Sequence, residues 1–407
     1  MRLAVLIACV AAPVWAGGLP APVTDADYVA VGEAEVRLGQ LLFYDPILSG
    51  NRNIACATCH HPRFGTSDGV SLSLGEGGIG LGSERRVDPA NLPEERIPRN
   101  APGLWNLGAR EFTVLFHDGR IAADAARPGG IRTPLDEDMT LGFSGVLSAQ
   151  TMFPVLSQDE MAGHYSENDV SQAVRLGRIT GDGGAWDLIA RRVEGIAAYR
   201  DLFAAAYPET AERGVGFTDI SNAVAAFMAF EWRSDDSAFD AHLRGDPLDG
   251  AALAGLELFY GEAGCGDCHS GPFQTDHGFH AMGVPQIGPG KVARFESDAR
   301  DEGRMEVTGR EGDAFAFRTP SLRNVMLTAP YGHSGAYREL RAFLAHHGRA
   351  DLAVYDRSQA VLPDLPGAED WRVLDDPAER AAIEAAAERD VPGLSAAEMD
   401  ELLTFLD

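Results

Sequence analysis

Apolar residues recur at helical spacing in four stretches of the chain. Residues 219–232 (DISNAVAAFMAFEW) carry the longest run, with Asp219 or Thr218 placed to cap it. Residues 34–43 (AEVRLGQLLF) and 253–260 give two further apolar helices, and residues 396–405 a closing one. Apolar–polar alternation is not sustained anywhere, so the pattern predicts a mainly α fold. Residues 69–98 and 121–145 are rich in Gly, Pro and charge and read as long loops. Residues 234–249 (SDDSAFDAHLRGDPLD) are polar and turn-rich, which makes them the best place for a domain boundary. A second irregular stretch, residues 351–392, has few strong signals and reads as an insertion.

The helices at 34–43 and 253–260 run into the same chemical pattern, Cys56-Ala57-Thr58-Cys59-His60 and Cys265-Gly266-Asp267-Cys268-His269. In C-x-x-C-H the two thiols can add to the vinyl groups of one haem, and the adjacent His is placed as an axial iron ligand. C-x-x-C also serves zinc or thiol redox chemistry. Zinc sites usually pair two such knuckles with further ligands close in sequence, whereas each of these ends in His and stands alone. The order helix, loop, motif occurs twice, and Leu42-Phe43-Tyr44 is answered by Leu258-Phe259-Tyr260. The expected fold is therefore two cytochrome c-like domains, each with one covalently attached c-type haem, joined by Gly/Pro-rich loops that could lie over a haem.

The chain has 407 residues, 45% of them hydrophobic, enough for two or three cores. Four of its five cysteines are used by the motifs, and the fifth, Cys9, lies in an apolar run behind Met1-Arg2. With Val14-Trp15-Ala16 before Gly17, residues 1–16 read as a secretory signal peptide, too short for a membrane span. An uncleaved anchor is the alternative. Residues 17–235 and 236–407 are then the N-terminal and C-terminal haem domains. No cysteine remains for a disulfide, so core packing and the haems must hold the fold. Haem attachment takes place outside the cytoplasm, which puts the mature chain in a bacterial periplasm, without a membrane span. A net charge of −27 with no Lys/Arg run argues against nucleic acid. Such a surface suits either steering of a basic donor protein or solubility in a salty habitat.

Further blocks carry a family resemblance that spans about residues 38–406. They are Leu38-Gly39-Gln40-Leu41-Leu42-Phe43-Tyr44-Asp45, Pro98-Arg99-Asn100-Ala101-Pro102, Asp118-Gly119-Arg120, Leu322-Arg323-Asn324-Val325 and Leu327-Thr328-Ala329-Pro330-Tyr331. With the two motifs, the chain resembles the bacterial di-haem cytochrome c peroxidases and the MauG-type protein-modifying enzymes of the same superfamily. The resemblance implies one haem that reacts with peroxide, on His60, and one that passes electrons, on His269. It also implies a catalytic Glu and Gln ten residues apart, a spacing kept by Glu160, as acid/base, and Gln150, as its polar companion. In many relatives a second His, sixteen residues after the motif His, blocks the first iron; here that position is Glu76, which predicts an open iron without reductive activation.

The family's sixth ligand to the second iron, fourteen residues after His333, falls on His347, with His346 as rival. Relatives carry Met or Tyr there, so His implies bis-histidine ligation and a lower potential. The family's Trp-Asp-Gly-Arg, whose Trp bridges the haems, reads His117-Asp118-Gly119-Arg120, and Trp105 has no visible claim to replace it. A calcium ion held by Asn100 and by the Thr328 and Pro330 carbonyls is also implied, as oxygen ligands suit a hard cation. His61 reads as a surface or propionate contact and His333 as a haem-edge contact. His164, His242, His277 and His280 read as surface or hydrogen-bonded residues. The expected activity is reduction of hydrogen peroxide to water, with electrons from a cytochrome c or cupredoxin. MauG-like oxidation of a partner protein and plain electron carriage are the alternatives. Relatives are often homodimers.

Overall fold

The computed structural model describes residues 18–139, 141–291, 299–347, 351–388 and 392–407. The expected signal peptide, residues 1–16, lies outside the described residues. Four helices organise the rest: α1 (Glu33–Tyr44), α2 (Phe217–Glu231), α3 (Gly250–Tyr260) and α4 (Ala396–Leu406). In the N-terminal half α1 crosses α2, and in the C-terminal half α3 crosses α4. Both crossings close on a glycine. A Cβ on Gly39 would run into the Ala223 carbonyl, and one on Gly255 into the Glu401 carbonyl. Aromatic rings fill in behind each crossing. Phe43 lies 5.3 Å from Phe227, and Phe259 lies 5.2 Å from Phe405, measured between ring centroids. Glycine, phenylalanine and tyrosine thus occupy the same steps of α1 and α3, and the duplication seen in Leu-Phe-Tyr is a duplication of packing.

α2 begins at Phe217, and the residue expected to cap it does something else. Asp219 stands one turn inside and accepts a hydrogen bond from the Gly216 N–H at 2.9 Å, while pairing with Arg213 at 2.7 Å. It satisfies a free helix N–H from within the first turn, the role of the acidic member of a capping box. Helix Ala185–Glu194 was also readable in the sequence, because Ala185, Trp186, Ile189, Ala190 and Val193 form its buried face at helical spacing.

Three expected irregular stretches are more ordered than their composition suggests. Residues 121–145 contribute strands Ile121–Ala123 and Ile131–Arg132 to a three-stranded antiparallel sheet with Val114–Leu115. Strands this short cannot display an alternating pattern, so sequence periodicity is blind to them. Residues 234–249 contain helix Ala238–Leu243, capped by Ser237, whose Phe239 packs edge-on against Phe405 at 5.4 Å. Most of the expected boundary is therefore part of the C-terminal core. The segment after residue 351 carries helix Pro377–Ala386 and ties both halves together. Val361 and Ser71 exchange hydrogen bonds at 2.8 Å, and Asp370 receives Arg96 at 2.7 Å. Leu72 of the N-terminal half is buried among Ile287, Phe315, Leu352 and Val373. No helix among the described residues is long and apolar enough to cross a membrane.

The glycine at the helix crossing gives a direct check. Gly39→Val should destabilise the protein by about 1–3 kcal/mol through overpacking. Gly250→Ala, at the open first turn of α3, should be neutral or stabilising by up to about 1 kcal/mol. Equilibrium denaturation of the two variants measures the contrast.

Candidate functional site

Each C-x-x-C-H sits on a single tight turn. Cys56–Cys59 form one helical turn closed by His60 N–H to the Cys56 carbonyl at 2.9 Å. Cys265–Asp267 form a 3-10 turn closed by His269 N–H to the Cys265 carbonyl at 2.9 Å. Thiols three residues apart on one turn face the same side. Each motif His is then fixed through Nδ1, which donates to the Thr66 carbonyl (3.0 Å) in one half and to the Gln274 carbonyl (3.2 Å) in the other. A carbonyl can only accept, so Nδ1 carries the proton and Nε2 keeps the lone pair a metal needs. Thr66 and Gln274 both stand at positive φ, 69° and 52°, which turns their carbonyls back onto the rings. Burial lowers the pKa of both imidazoles, that of His269 to about 4, so both are neutral, the ligating form.

The duplication extends into a block the sequence reading missed. Pro102-Gly103-Leu104-Trp105-Asn106-Leu107 and Pro320-Ser321-Leu322-Arg323-Asn324-Val325 share the pattern Pro-x-Leu-x-Asn. Their asparagines adopt the same left-handed conformation, φ 60° and 58°. The Pro102 carbonyl lies against the His60 ring and the Pro320 carbonyl against His269. Aligning the chain against itself beyond Leu-Phe-Tyr would have found this block.

Around the first motif, Glu160 sits on a π-helical turn, Gln158–Ala162, capped by Ser157. Its backbone is clamped by the following loop of the motif, because the Glu76 N–H donates to the Asp159 carbonyl at 2.9 Å. The carboxylate makes no hydrogen bond among the described residues. Burial pushes its pKa up to about 7, opposed by the charge of Arg120 and assisted by Asp159. Glu160 lies close enough to Cys59 to act on it electrostatically. Gln150 ends the short helix Val146–Gln150, one 3-10 turn before the Glu160 segment, and no hydrogen bond joins the two side chains.

Glu76 is fully buried, and its Oε2 has no hydrogen-bond partner among the described residues. Its Oε1 accepts from the side-chain amides of Asn51 (3.0 Å), Asn53 (2.7 Å) and Asn91 (3.0 Å). His61 is likewise committed to its own turn, accepting from the Arg63 N–H at 3.1 Å.

In the C-terminal half, helix Leu340–His347 presents both candidate ligands. His346 spends both ring nitrogens, on the Tyr337 hydroxyl at 2.9 Å and the Met282 carbonyl at 3.2 Å. His347 donates Nδ1 to the Phe343 carbonyl at 2.8 Å, keeps the Nε2 lone pair, and lies within electrostatic reach of His269. The two halves meet at a buried ion cluster. Arg99 grips Asp301 through Nε and Nη2, both at 2.6 Å, and Asp118 through Nη1 at 2.6 Å. The tip of the His117–Arg120 loop inserts into the other half. Gly119 has φ 67° and no room for a Cβ beneath Phe279, and the His117 carbonyl accepts the Arg318 N–H at 2.7 Å. Burial and the nearby Arg99 push the His117 pKa down to about 3, so it is neutral.

His333 is buried, stacked on Phe317 at 3.7 Å, and neither ring nitrogen has a partner among the described residues. The Trp105 indole N–H and one Arg318 Nη are buried in the same condition. These donors fit anionic carboxylates of the kind haem propionates supply, and with the motif geometry the residues present fit two haems. Asn100 donates Nδ2 to the Val70 and Ser71 carbonyls at 2.9 and 3.2 Å, and its Oδ1 accepts no hydrogen bond among the described residues. Its N–H bonds the His333 carbonyl at 2.8 Å. Neither the Thr328 nor the Pro330 carbonyl accepts a hydrogen bond among the described residues. Of the other histidines, His242, His277 and His280 bond Asp246, Glu111 and Asp276. His164 departs from expectation, since both its ring nitrogens are buried without partners among the described residues.

Replacing Arg99 by Met would strand Asp301 and Asp118 in the interior. A loss of about 3–5 kcal/mol is expected on breaking a buried pair from one side, measurable by equilibrium unfolding.

Comparison with known proteins agrees with this geometry. A family model described as di-haem cytochrome c peroxidase matches residues 33–247. The methylamine utilization protein MauG of Methylorubrum extorquens is 30% identical over 318 residues, 77% of this chain and 68% of that protein. The cytochrome c551 peroxidase of Pseudomonas aeruginosa is 29% identical over 336 residues, 82% of this chain and 77% of the relative. Among solved structures, a MauG-like protein associated with microbial copper homeostasis superposes with a TM-score of 0.61 at 26% identity, covering 98% of this chain and 94% of the other. The diheme peroxidase BthA from Burkholderia thailandensis shares the fold, with a TM-score of 0.60 at 19% identity over 97% of this chain and 91% of its own.

Proposed function

Because the chain belongs to the di-haem cytochrome c peroxidase family of oxidoreductases, we propose that it reduces hydrogen peroxide to water in the periplasm, using electrons from a small donor protein, a cytochrome c or a cupredoxin. In this reading the N-terminal half, residues 17–235, holds the peroxide-reacting haem through Cys56, Cys59 and His60. The C-terminal half, residues 236–407, holds the electron-accepting haem through Cys265, Cys268, His269 and His347. When bound, the haems supply one-electron redox chemistry and an iron position open to peroxide.

The observation that carries the proposal is Glu160: a partly buried carboxylate without a hydrogen-bond partner among the described residues, beside the first motif, its pKa pushed up to about 7 by desolvation. A general base is most effective when its pKa lies near the operating pH. Its carboxylate oxygen would take a proton from one peroxide oxygen and return it to the other; with two electrons from the donor protein by way of the haems and two protons from solvent, both oxygens would end as water. Gln150 offers a neutral amide from the same wall, to orient the peroxide. The three amides on Glu76 Oε1 support the reading that this residue does not take the part of the blocking His of relatives. The spent nitrogens of His346 support His347 as the ligand of the second iron. The Asn100 Oδ1 and the Thr328 and Pro330 carbonyls, none of them hydrogen-bonded among the described residues, would be the oxygen ligands of a calcium ion. A MauG-like oxidation of a partner protein is the second reading, favoured by the imidazole where peroxidases usually carry Met.

Glu160→Gln should lower peroxide turnover by about 10²–10⁴-fold. In the native protein kcat/KM should rise with pH through about 7, because burial raises the pKa and only the ionised carboxylate is a base. Steady-state assays from pH 5 to 9 test both. Electron paramagnetic resonance of the oxidised protein should show one high-spin and one low-spin iron. His347→Ala should remove the low-spin signal and His346→Ala should keep it. Chelation should lower the thermal midpoint, and Asn100→Ala should abolish that response to chelator.

A further inference from the structure

We propose that His280, held between Asp276 and Glu388 beside the Cys268 sulfur, takes up a proton when the second haem takes an electron from the donor protein. The inference rests on attachment of a haem to Cys265 and Cys268 and does not depend on peroxide being the substrate.

The two halves repeat one frame behind their motifs, and His280 is where they part. In each, a hydroxyl reaches the carbonyl just ahead of the Pro-x-Leu-x-Asn block: Ser67 Oγ donates to Ala101 at 2.7 Å and Thr275 Oγ1 to Thr319 at 2.8 Å. The next residue is an aspartate whose Oδ1 accepts a backbone N–H, from Val70 to Asp68 at 3.1 Å and from Gly278 to Asp276 at 2.7 Å. Asp68 and Asp276 are therefore counterparts. Four residues beyond them stand Leu72, buried in an apolar cluster, and His280. In the first half Asp68 Oδ2 is buried without a hydrogen-bond partner among the described residues. In the second, Asp276 Oδ2 meets His280 Nε2 at 2.9 Å. The imidazole is an addition confined to the half assigned to electron entry.

Its surroundings suit a proton that comes and goes. Nδ1 lies 3.5 Å from Glu388 Oε2, so both ring nitrogens face carboxylates. A neutral imidazole has one N–H and must turn its lone pair toward one of these acceptors, whereas the imidazolium donates to both. The ring is 24% exposed and Glu388 45%, so water can supply the proton. The Cys268 sulfur, Asp276 and His280 bring one atom each within 4.8 Å of one another. A sulfur bound to a haem vinyl is no thiolate, and the other two groups are hydrogen-bonded to each other, so the trio is not a metal centre. Other charged neighbours are engaged elsewhere. His277 meets Glu111 at 3.1 Å. Arg318, on the strand paired with Phe279–His280, donates Nε to the Phe116 carbonyl at 3.2 Å. Arg304, over the Phe279 ring, donates to the Asp118 and Gly119 carbonyls.

The step balances in charge. One electron from the donor protein converts ferric iron to ferrous, and His280 gains one proton from solvent at the nitrogen whose lone pair faced a carboxylate. The added negative charge is offset beside the point where the porphyrin is attached. When the electron moves on, His280 returns the proton to solvent. Leu72 can do none of this at the matching place in the first half.

The test follows the low-spin signal of the two-haem protein by electron paramagnetic resonance during redox titrations at a series of pH values. The potential of the second haem should fall as pH rises through the range in which imidazoles titrate, about pH 5–8, because a positive ring favours the reduced state. In weakly buffered solution its reduction should take up a measurable fraction of a proton per electron. His280→Gln should flatten the slope and abolish the uptake. A His280→Gln protein whose potential moves while its slope stays marks a merely structural residue and overturns the proposal. Glu388→Gln, on the exposed side of the ring, removes a negative charge that favours the proton, so the sloping range should move down by about half to one pH unit. A native potential independent of pH, or a range moved upward by Glu388→Gln, overturns the proposal as well. Haem content separates this from the reading beneath it. Protein carrying a haem on Cys56 and Cys59 alone sinks the second attachment, whereas two haems with a pH-independent potential sink only the role of His280.

Discussion

A guanidinium buried between carboxylates of two different halves is the interaction on which the rest of this structure depends. Arg99 holds Asp118 in its own half and Asp301 in the other, all three almost without solvent. Buried charges are tolerable only when paired and hydrogen-bonded, and a bidentate grip supplies both. The geometry leaves one relative placement of the halves in which all the bonds form. That placement seats the His117–Arg120 hairpin tip under Phe279 and brings Asn100 to the His333 carbonyl. The contact between the two redox halves is thus specified by charge at its centre and by apolar packing around it.

Much of the fold was legible because it is written twice. Glycine and phenylalanine recur at matching steps of α1 and α3, and each set reads as an amphipathic helix ahead of C-x-x-C-H. The match extends to Pro-x-Leu-x-Asn, which no hydrophobic periodicity reveals because its work is done by φ angles and carbonyl directions. The elements that escaped are those whose order comes from tertiary partners. Two- and three-residue strands have no period to read. The polar stretch at 234–249 holds a helix because Phe239 has an aromatic pocket to enter and Asp240 meets Arg323 at 2.6 Å.

The site was legible in its residue types and less so in its control. C-x-x-C-H names the candidate thiols and the candidate iron ligand from sequence alone, and the structure adds the carbonyls that set each imidazole's tautomer. Glu160 came from spacing within a resemblance. Its lack of hydrogen-bond partners is a property of the folded chain that spacing cannot encode. The residue count favoured His347 with His346 as rival, and in the structure the two differ because the Tyr337 hydroxyl and the Met282 carbonyl take both ring nitrogens of His346. The buried orphan nitrogens of His164 remain outside any role assigned to the chain.

The strap after residue 351 has a consequence for how the molecule is made. Ser71 finds its partner 290 residues downstream and Arg96 its partner 274 residues downstream. Leu72 finds its apolar shelter only among residues from Ile287 onward, Leu352 and Val373 included. A chain emerging from its amino end therefore cannot finish its first lobe by itself. Contacts of such range are slow to form, because the loop must close before they repay the entropy. The segment just past Cys56 and Cys59 is thus completed by the far end of the chain, and its native contacts wait on residues that are made last.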